Sequence, residues 1–532
     1  MYLCCSVPVK HTHLIALCRS MSAMTAETSN RPRTALLYLQ IALRLAQMIA
    51  SGAIKPGQRL PSVRDSAVQD GVSVSTVIQA FGYLEEHGLV QPRPKSGYFV
   101  ASNSKAKAVE LARKIQQQPA PIKSSASLSS NATTKQVTSF AGYFPKDADY
   151  FDQDRIRVAL SRAARMNRNT LTEYSSSAGT LALRNAVALR ALHLGCSLQS
   201  DNIVITSGCI NAVSLCLAAV TKPGDIVAVE SPTFFGFLDL LESLNLKPLS
   251  LPTDPKAGIS LPALQLALET QPVKAVLLVP TLSNPLGSVM PVSQKRALAH
   301  LVSQFQVPLI EDVVFNDLLA TDARRKAVKS FDSDGWVMTC GSFAKTVAPG
   351  IRLGWVEGGR WSKAVATLKR VQGASTNAVL EYALADLLTQ GSYEAHLRRL
   401  CSMMQQRLGH ARQVIQRSFP RGTKVYDPPA GYTLWVELPK HVNTMELFSV
   451  CKKHGIVVGP GQLFCASQKY RHCLRLSFAG AWGESQQAAL EEVGRLAGTL
   501  QAIAQEVEVP RVGATTRTDF MCENDITAHD LW

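Results

Sequence analysis

The segment Gly341-Ser-Phe-Ala-Lys-Thr-Val-Ala-Pro-Gly-Ile-Arg-Leu-Gly354 follows a short apolar run, Trp336 to Thr339. That run reads as a buried strand, so Ser342, Lys345 and Arg352 are delivered just beyond a strand's end. Working outward, the arrangement repeats. Ile203 to Thr206 is followed by Ser207-Gly208, Ile226 to Val229 by Phe234, Ala275 to Val279 by Asn284, and Pro308 to Ile310 by Asp312. Longer helical stretches separate these runs, and such alternation predicts an α/β domain with a largely parallel sheet. In open sheets of this class ligands bind at the carboxyl edge. One polar residue there means little, because any loop carries some. Five strand ends bearing a helix-opening Ser-Gly, an aromatic, an amide, a carboxylate and a lysine predict convergence on one small molecule. The domain is expected over 137–505, with a small α+β subdomain from about 391 whose strands are Gly431 to Leu438 and Cys473 to Phe478. The tail, 506–532, has no periodicity and is expected to be loose.

Upstream, residues 103–136 are rich in Lys, Gln, Ser, Ala and Pro. That composition buries too little apolar area to fold alone and predicts a linker, with some helix near 109–117. Before it, residues 34–102 carry a different pattern. Leu37, Ile41, Leu45, Met48 and Ile49 keep helical spacing until Gly52, Pro56 and Gly57 break it. Pro61-Ser62 opens a second helix through Gln69, Gly71 permits a turn, and Ser73 caps a third helix with Val74, Val77, Ile78, Phe81 and Leu84 facing inward. Leu89-Val90 and Tyr98 to Val100 are short strands joined by the basic turn Gln91 to Gly97. Three helices and a basic hairpin predict a winged helix-turn-helix. Over residues 31–118 there are 12 Lys and Arg against 5 Asp and Glu, a net +7 suited to phosphates. In such docking the first turns of the third helix meet base edges, which nominates Ser73, Ser75, Thr76 and Gln79, with Arg93 and Lys95 on the wing. Each charge there is alternatively a solvated surface group.

The whole chain, 532 residues with 46% hydrophobic content and a net charge of +16, is long enough for several packed units and suits a polyanionic partner. No apolar run approaches the roughly 20 residues of a membrane span, so no membrane partner is expected and a soluble, cytoplasmic, nucleoid-associated protein is. The 12 cysteines form no C-x-x-C pair, which predicts reduced thiols and no metal site. Residues 1–33 remain an unassigned extension, with Met21 and Met24 as alternative starts.

The groups at the strand ends are those that pyridoxal 5′-phosphate requires. The second region resembles the fold-type I aminotransferases, of class I/II. With the first region, over roughly 34–500, the chain resembles the MocR-type subfamily of the GntR transcription regulators. The resemblance implies that Lys345 forms the cofactor's Schiff base. It implies that Asp312 pairs with the pyridine nitrogen, Asn284 with the ring hydroxyl, and Phe234 with the ring face. Apart from the resemblance, Asp312 reads equally as a turn cap or ion-pair partner, Asn284-Pro285 as a turn, and Phe234 as core. Ser207-Gly208 opens a helix whose amides at Cys209 and Ile210 attract a phosphate on physical grounds, and the family adds Ser342 and Arg352. Tyr174 matches a tyrosine reaching the phosphate from a partner subunit, which implies a homodimer. Arg475 matches an arginine that grips a substrate's α-carboxylate, implying an amino acid or related carboxylated amine as ligand. Arg64 matches an arginine that contacts DNA. Two positions depart from the pattern. Phe315 stands where a tyrosine usually faces the ring hydroxyl, which weakens the case for transamination, and Ser66 replaces a leucine in the second helix. The expected function is a pyridoxal-phosphate-dependent regulator of a double-stranded DNA operator that senses an amine through exchange at Lys345. The alternatives are a working aminotransferase with a DNA-binding appendage and a vestigial dimeriser.

Overall fold

The computed structural model describes residues 34–93, 97–102, 104, 106–109, 111, 138–142, 150–319, 325–467 and 469–508. The chain separates into two compact units, 1–126 and 127–532. In the first, α1 (Thr34–Ser51), α2 (Val63–Asp70) and α3 (Val74–Glu86) precede β1 (Val90–Arg93) and β2 (Gly97–Val100). Ser62 caps α2 by accepting from the Asp65 amide at 3.1 Å. Gly71 ends it at φ 61°, a left-handed conformation that costs glycine little. Ser73 then caps α3 by accepting from the Thr76 amide at 3.2 Å. The C-cap Gly71 and the N-cap Ser73, two residues apart, make the sharp turn between the helices. β1 and β2 pair antiparallel with Val90 opposite Val100. Ile41, Leu45, Ile49, Val77, Phe81, Leu84 and Leu89 share one core.

Two assignments on α3 are corrected, Ile78 as inward-facing and Thr76 as outward-facing. Ile78 is 51% exposed, and Thr76 is only 5% exposed. The buried stripe runs Val77, Ala80, Phe81, Leu84, and at about 100° per residue Ile78 turns one step off it. Ser66 is buried. Lys95 lies outside the described residues, and Arg93 ends β1 opposite Gly97.

The second unit begins with β3 (Thr138–Ser139), α4 (Gln153–Met166) and α5 (Leu181–Ala191). The alternating region follows as β4 (Ile203–Thr206), α6 (Cys209–Val220), β5 (Ile226–Ser231), α7 (Phe235–Ser243), β6 (Lys247–Asp254) and β7 (Gly258–Ile259). It continues through α8 (Leu261–Thr270), β8 (Val273–Leu278), α9 (Val292–Gln304), β9 (Leu309–Asp312), β10 (Val337–Ser342) and β11 (Gly354–Glu357). Next come α10 (Ser362–Gly373), α11 (Ala378–Thr389) and the 27-residue α12 (Ser392–Ser418). The chain closes with β12 (Lys424–Tyr426), β13 (Thr433–Glu437), α13 (Thr444–Lys453), β14 (Ile456–Val457), β15 (Gly459–Pro460), β16 (Cys473–Ser477) and α14 (Glu484–Glu508).

The main sheet has the order β4-β11-β10-β9-β8-β5-β6-β7. From β6 through β5, β8 and β9 to β10 every neighbour is parallel. β11 runs against both β10 and β4. The expected α/β sheet is therefore present, with β11 reversed inside it. β9 and β10 are buried throughout and β8 except at Lys274, as a sheet covered on both faces requires. The second sheet is antiparallel, β12-β13-β16-β15, and the long α12 packs on α14 beside it. β6 and β11 were not anticipated as strands. Pro248 and Pro252 and half-exposed positions hide the period of β6, and β11 is only four residues long.

Candidate functional site

The carboxyl ends of the parallel strands and the start of the reversed β11 lie along one edge, because Gly354 pairs with both Ser342 and Thr206. In strand order this edge carries Ser207-Gly208 after β4, Arg352 before β11, Ser342 at the end of β10 with Lys345 beyond it, and Asp312 at the end of β9. Asn284 follows after β8 and Phe234 after β5. Sheet topology, not chain proximity, brings these residues together.

Gly208 opens α6 at φ 91° without any side-chain cap, so the first-turn amides, including those of Cys209 and Ile210, have no intrahelical partner. A Cβ on Gly208 would stand 3.2 Å from Nη2 of Arg352, and one on Gly354 would stand 2.5 Å from the Gly208 carbonyl carbon. The two glycines thus allow β4, β11 and the Arg352 guanidinium to close around the helix start. Arg352 itself is exposed and takes the left-handed φ of 53°. The Ser342 hydroxyl donates to the Leu353 carbonyl at 2.9 Å and accepts from the Ala344 amide at 3.1 Å. It shapes the turn leading to Lys345, and its proton is already engaged.

Lys345 and Asp312 are both buried. Burial brings the Lys345 ammonium down to about 7, with Arg475 and Arg352 acting in the same direction and Asp312 opposing. Burial raises the Asp312 carboxyl to about 6, against hydrogen bonds from the Val314 amide and the Cys209 thiol and the charge of Lys345. The Val314 amide donates to Asp312 Oδ1 at 2.8 Å. A lysine held near half-neutral at pH 7 beside a mostly ionised carboxylate is fit to attack a carbonyl.

Asn284 is 4% exposed, and neither its Nδ2 nor its Oδ1 has a hydrogen-bond partner. Leaving a buried amide so costs about 1–3 kcal/mol, and a ligand oxygen at this point relieves it. Phe234 is buried against Phe235 and Phe237, with ring centroids 4.8 and 5.4 Å away. Phe315 meets the ring of Tyr432 edge-on at 6.0 Å, and Tyr432 is a buried phenol within the electrostatic reach of Arg475. Arg475, fully buried on β16, donates from Nη2 to the Ala141 carbonyl, and its guanidinium lies 5.2 Å from the Phe464 ring centroid. Tyr174 stands apart from this set, 96% exposed.

Several groups escaped sequence reasoning. The Cys209 thiol hydrogen-bonds Asp312, a contact across 103 positions of chain that no motif signals. Glu230 is buried at the end of β5, accepts from the Val279 amide at 3.0 Å, and is pushed up to about 8 by burial. Only its place at a strand end marked it. Tyr150, fully buried, donates to the Lys345 carbonyl at 2.9 Å.

In the first unit, Arg64 on α2 and Ser73 before α3 are exposed and Gln79 is half-buried, while Ser75 lies in the first turn of α3. The Thr76 hydroxyl is 2.7 Å from that of Ser73, so it supports the cap from inside instead of facing outward. Arg59, not singled out in the sequence, lies beside Gly97 at the base of the wing, where an added Cβ would be 3.3 Å from its Nε.

Known proteins agree with this construction. The model for aminotransferase class I and II matches residues 146–492, and that for bacterial regulatory proteins of the gntR family matches residues 37–100. YjiR, an uncharacterised HTH-type transcriptional regulator of Escherichia coli (strain K12), is 36% identical over 86% of this chain and 98% of its own. YdcR of the same organism is 36% identical with the same coverage of both chains. Among solved structures, the kynurenine aminotransferase of Pyrococcus horikoshii is 26% identical with a TM-score of 0.64, covering 70% of this chain and 92% of that one. The multiple substrate aminotransferase of Thermococcus profundus has the same TM-score at 22% identity, over 70% and 93%. Pyridoxal phosphate is the cofactor this domain implies, and the orphaned amide of Asn284, the open start of α6 and the buried Lys345–Asp312 pair fit it. The chain belongs to the GntR family of bacterial transcription regulators, in the MocR type that joins a helix-turn-helix to an aminotransferase class I and II domain.

Proposed function

We propose that this regulator binds a carboxylated amine or amino acid at the sheet edge, where the amine displaces Lys345 from pyridoxal phosphate, and that this occupancy changes its affinity for an operator. The observation that carries the reading is Lys345, buried and brought to about 7 among Asp312, Arg352 and Arg475. When bound, the cofactor supplies an aldehyde carbon and a ring that withdraws electrons. Lys345 would provide the neutral amine that holds the cofactor and yields its place to a competing amine. Asp312 would hold the ring nitrogen, Asn284 the ring hydroxyl, and Phe234 would cover a ring face. The amides of Cys209 and Ile210 and the guanidinium of Arg352 take the phosphate. Ser342 contributes there only by turning its proton away from Leu353.

Arg475 takes the ligand's carboxylate through a forked pair of hydrogen bonds. Tyr174 completes the phosphate site of a second copy, so the working form is a homodimer. Its exposure, with that of Met166 and Leu171 nearby, supports this. On DNA, Arg64, Arg93 and Lys95 hold phosphates, and Ser73, Ser75 and Gln79 face the bases. The protein acts in the cytoplasm, on the nucleoid. Among the described residues no helix is long and apolar enough to cross a membrane.

The test is the visible absorbance of the purified protein with added pyridoxal phosphate, followed by a panel of amino acids and amines. A band that one amine shifts without turning the cofactor into its amine form supports the sensor. Bleaching that a keto acid reverses makes the protein an aminotransferase first, a reading favoured by the intact Lys345, Asp312 and Arg475. No band at all leaves only a vestigial fold.

A further inference from the structure

Lys345 and Thr346 belong to the irregular turn after β10, so no sheet or helix partner fixes their backbone. Beyond a turn bond from the Thr346 amide to the Phe343 carbonyl at 3.2 Å, two side chains from distant parts of the chain hold the Lys345 and Thr346 carbonyls, and a third holds the Thr346 hydroxyl. The Tyr150 phenol donates to the Lys345 carbonyl at 2.9 Å, and the Tyr393 hydroxyl lies 2.8 Å from Thr346 Oγ1. His396 Nε2 lies 2.8 Å from the Thr346 carbonyl. A carbonyl only accepts, so Nε2 carries the proton and Nδ1 is bare. Arg399 Nη2 faces that bare nitrogen at 3.1 Å and also donates to the Tyr150 carbonyl at 3.2 Å. Hydrogen bonds therefore close a ring from Tyr150 through Arg399, His396 and the peptide of Lys345–Thr346 back to Tyr150. Burial pushes the Tyr150 phenol far up, so it remains a donor at every working pH.

Tyr150 also belongs to the stretch by which the chain enters the second unit after the linker. The same stretch supports the other ligand-facing residue. Arg475 donates to the Ala141 carbonyl, the Ser477 amide donates to the Phe140 carbonyl at 2.7 Å, and the Phe140 amide donates to Val457 at 2.7 Å. Tyr150 thus touches the Lys345 end of the site and Ala141 the Arg475 end.

We propose that Tyr150 and Ala141 are positioning residues of the site, Tyr150 anchoring the backbone of Lys345 and the Ala141 carbonyl orienting Arg475. The proposal rests on the roles assigned above to those two residues. Neither Tyr150 nor Ala141 touches the cofactor in it; both act through the residue they hold.

The experiment uses the full chain loaded with pyridoxal phosphate and the variant Tyr150→Phe, which keeps the ring and loses the donor. Losing one hydrogen bond of ordinary net worth, we expect loss of cofactor on dilution to rise by about tenfold. The pH midpoint of the visible band should also move by about half a unit or more, while the melting temperature stays close to wild type. A purely structural tyrosine moves the melting temperature and leaves that midpoint alone. Should the variant not fold, hydrogen exchange on the wild-type chain decides the question. Loading with pyridoxal phosphate should slow exchange at 138–142 as well as in the first turn of α6. Protection of α6 without any change at 138–142, or an unshifted midpoint in a folded variant, overturns the proposal alone. Absence of a visible band in the wild type overturns the cofactor reading, and this proposal with it.

Discussion

The most quantitative consequence of the site is the rate at which the cofactor-free protein captures pyridoxal phosphate. Only the neutral amine of Lys345 attacks. Held at about 7, half of it is neutral at pH 7, whereas an ordinary lysine at about 10.4 has about one molecule in 2,500 neutral there. The site therefore offers about a thousandfold more attacking amine at neutral pH. Stopped-flow absorbance across a pH series should show the capture rate rising to a plateau, with its midpoint near 7. Burial is the main cause of the shift, and Arg475 is the next. Arg475→Gln removes a cation that disfavours the ammonium and should move the midpoint up. Asp312→Asn removes the anion that favours the ammonium and should move it down. A rate still climbing tenfold per unit between pH 8 and 10, or two variants shifting in the same direction, would refute this electrostatic account.

Glu230 should impose a pH dependence on stability. Its folded value of about 8 lies above an unfolded value of about 4.3, so the folded chain binds more protons between them. Its contribution is complete below about 4.3 and is lost as pH rises through about 8. Glu230→Gln should flatten that slope in urea unfolding measured at pH 5 and pH 8.5, and equal slopes would show the carboxyl to be ionised. Arg475→Lys replaces a planar fork with a point charge and should weaken carboxylated amines by about tenfold or more, while amines without a carboxylate keep their affinity. Equilibrium titration of the visible band measures both. Arg64→Ala should weaken DNA of any sequence alike and reduce the salt slope of log affinity by about 1; a loss confined to one sequence would make Arg64 a base reader.

Much of the site was legible because each contributing residue sits within a few positions of an apolar run. Lys345, Asp312, Asn284 and Ser207-Gly208 could be placed on one edge by recognising strands alone. The same holds for the helix-turn-helix, where Ser62, Gly71 and Ser73 cap and break helices through local chemistry. What stayed hidden depends on distance or phase. Tyr150 meets Lys345 across 195 positions, and nothing in either neighbourhood marks the pairing. The Cys209 thiol was passed over because its position suggested only a backbone amide. On α3, a one-residue error in helical phase turns a side chain by about 100°, enough to put Ile78 inside and Thr76 outside when the packed helix has the reverse.

The measurement that bears most directly on the central claim is operator affinity, by fluorescence anisotropy, of the pyridoxal-phosphate-loaded wild type and of Lys345→Ala. Each is measured with and without the amine that shifts the visible band. A ligand moves an equilibrium only by its differential affinity for the two states. The account predicts that the amine changes wild-type DNA affinity severalfold, about 1 kcal/mol or more, and leaves Lys345→Ala unmoved. Equal responses in both proteins, or consumption of the amine to a keto acid with no change in DNA affinity, would contradict it.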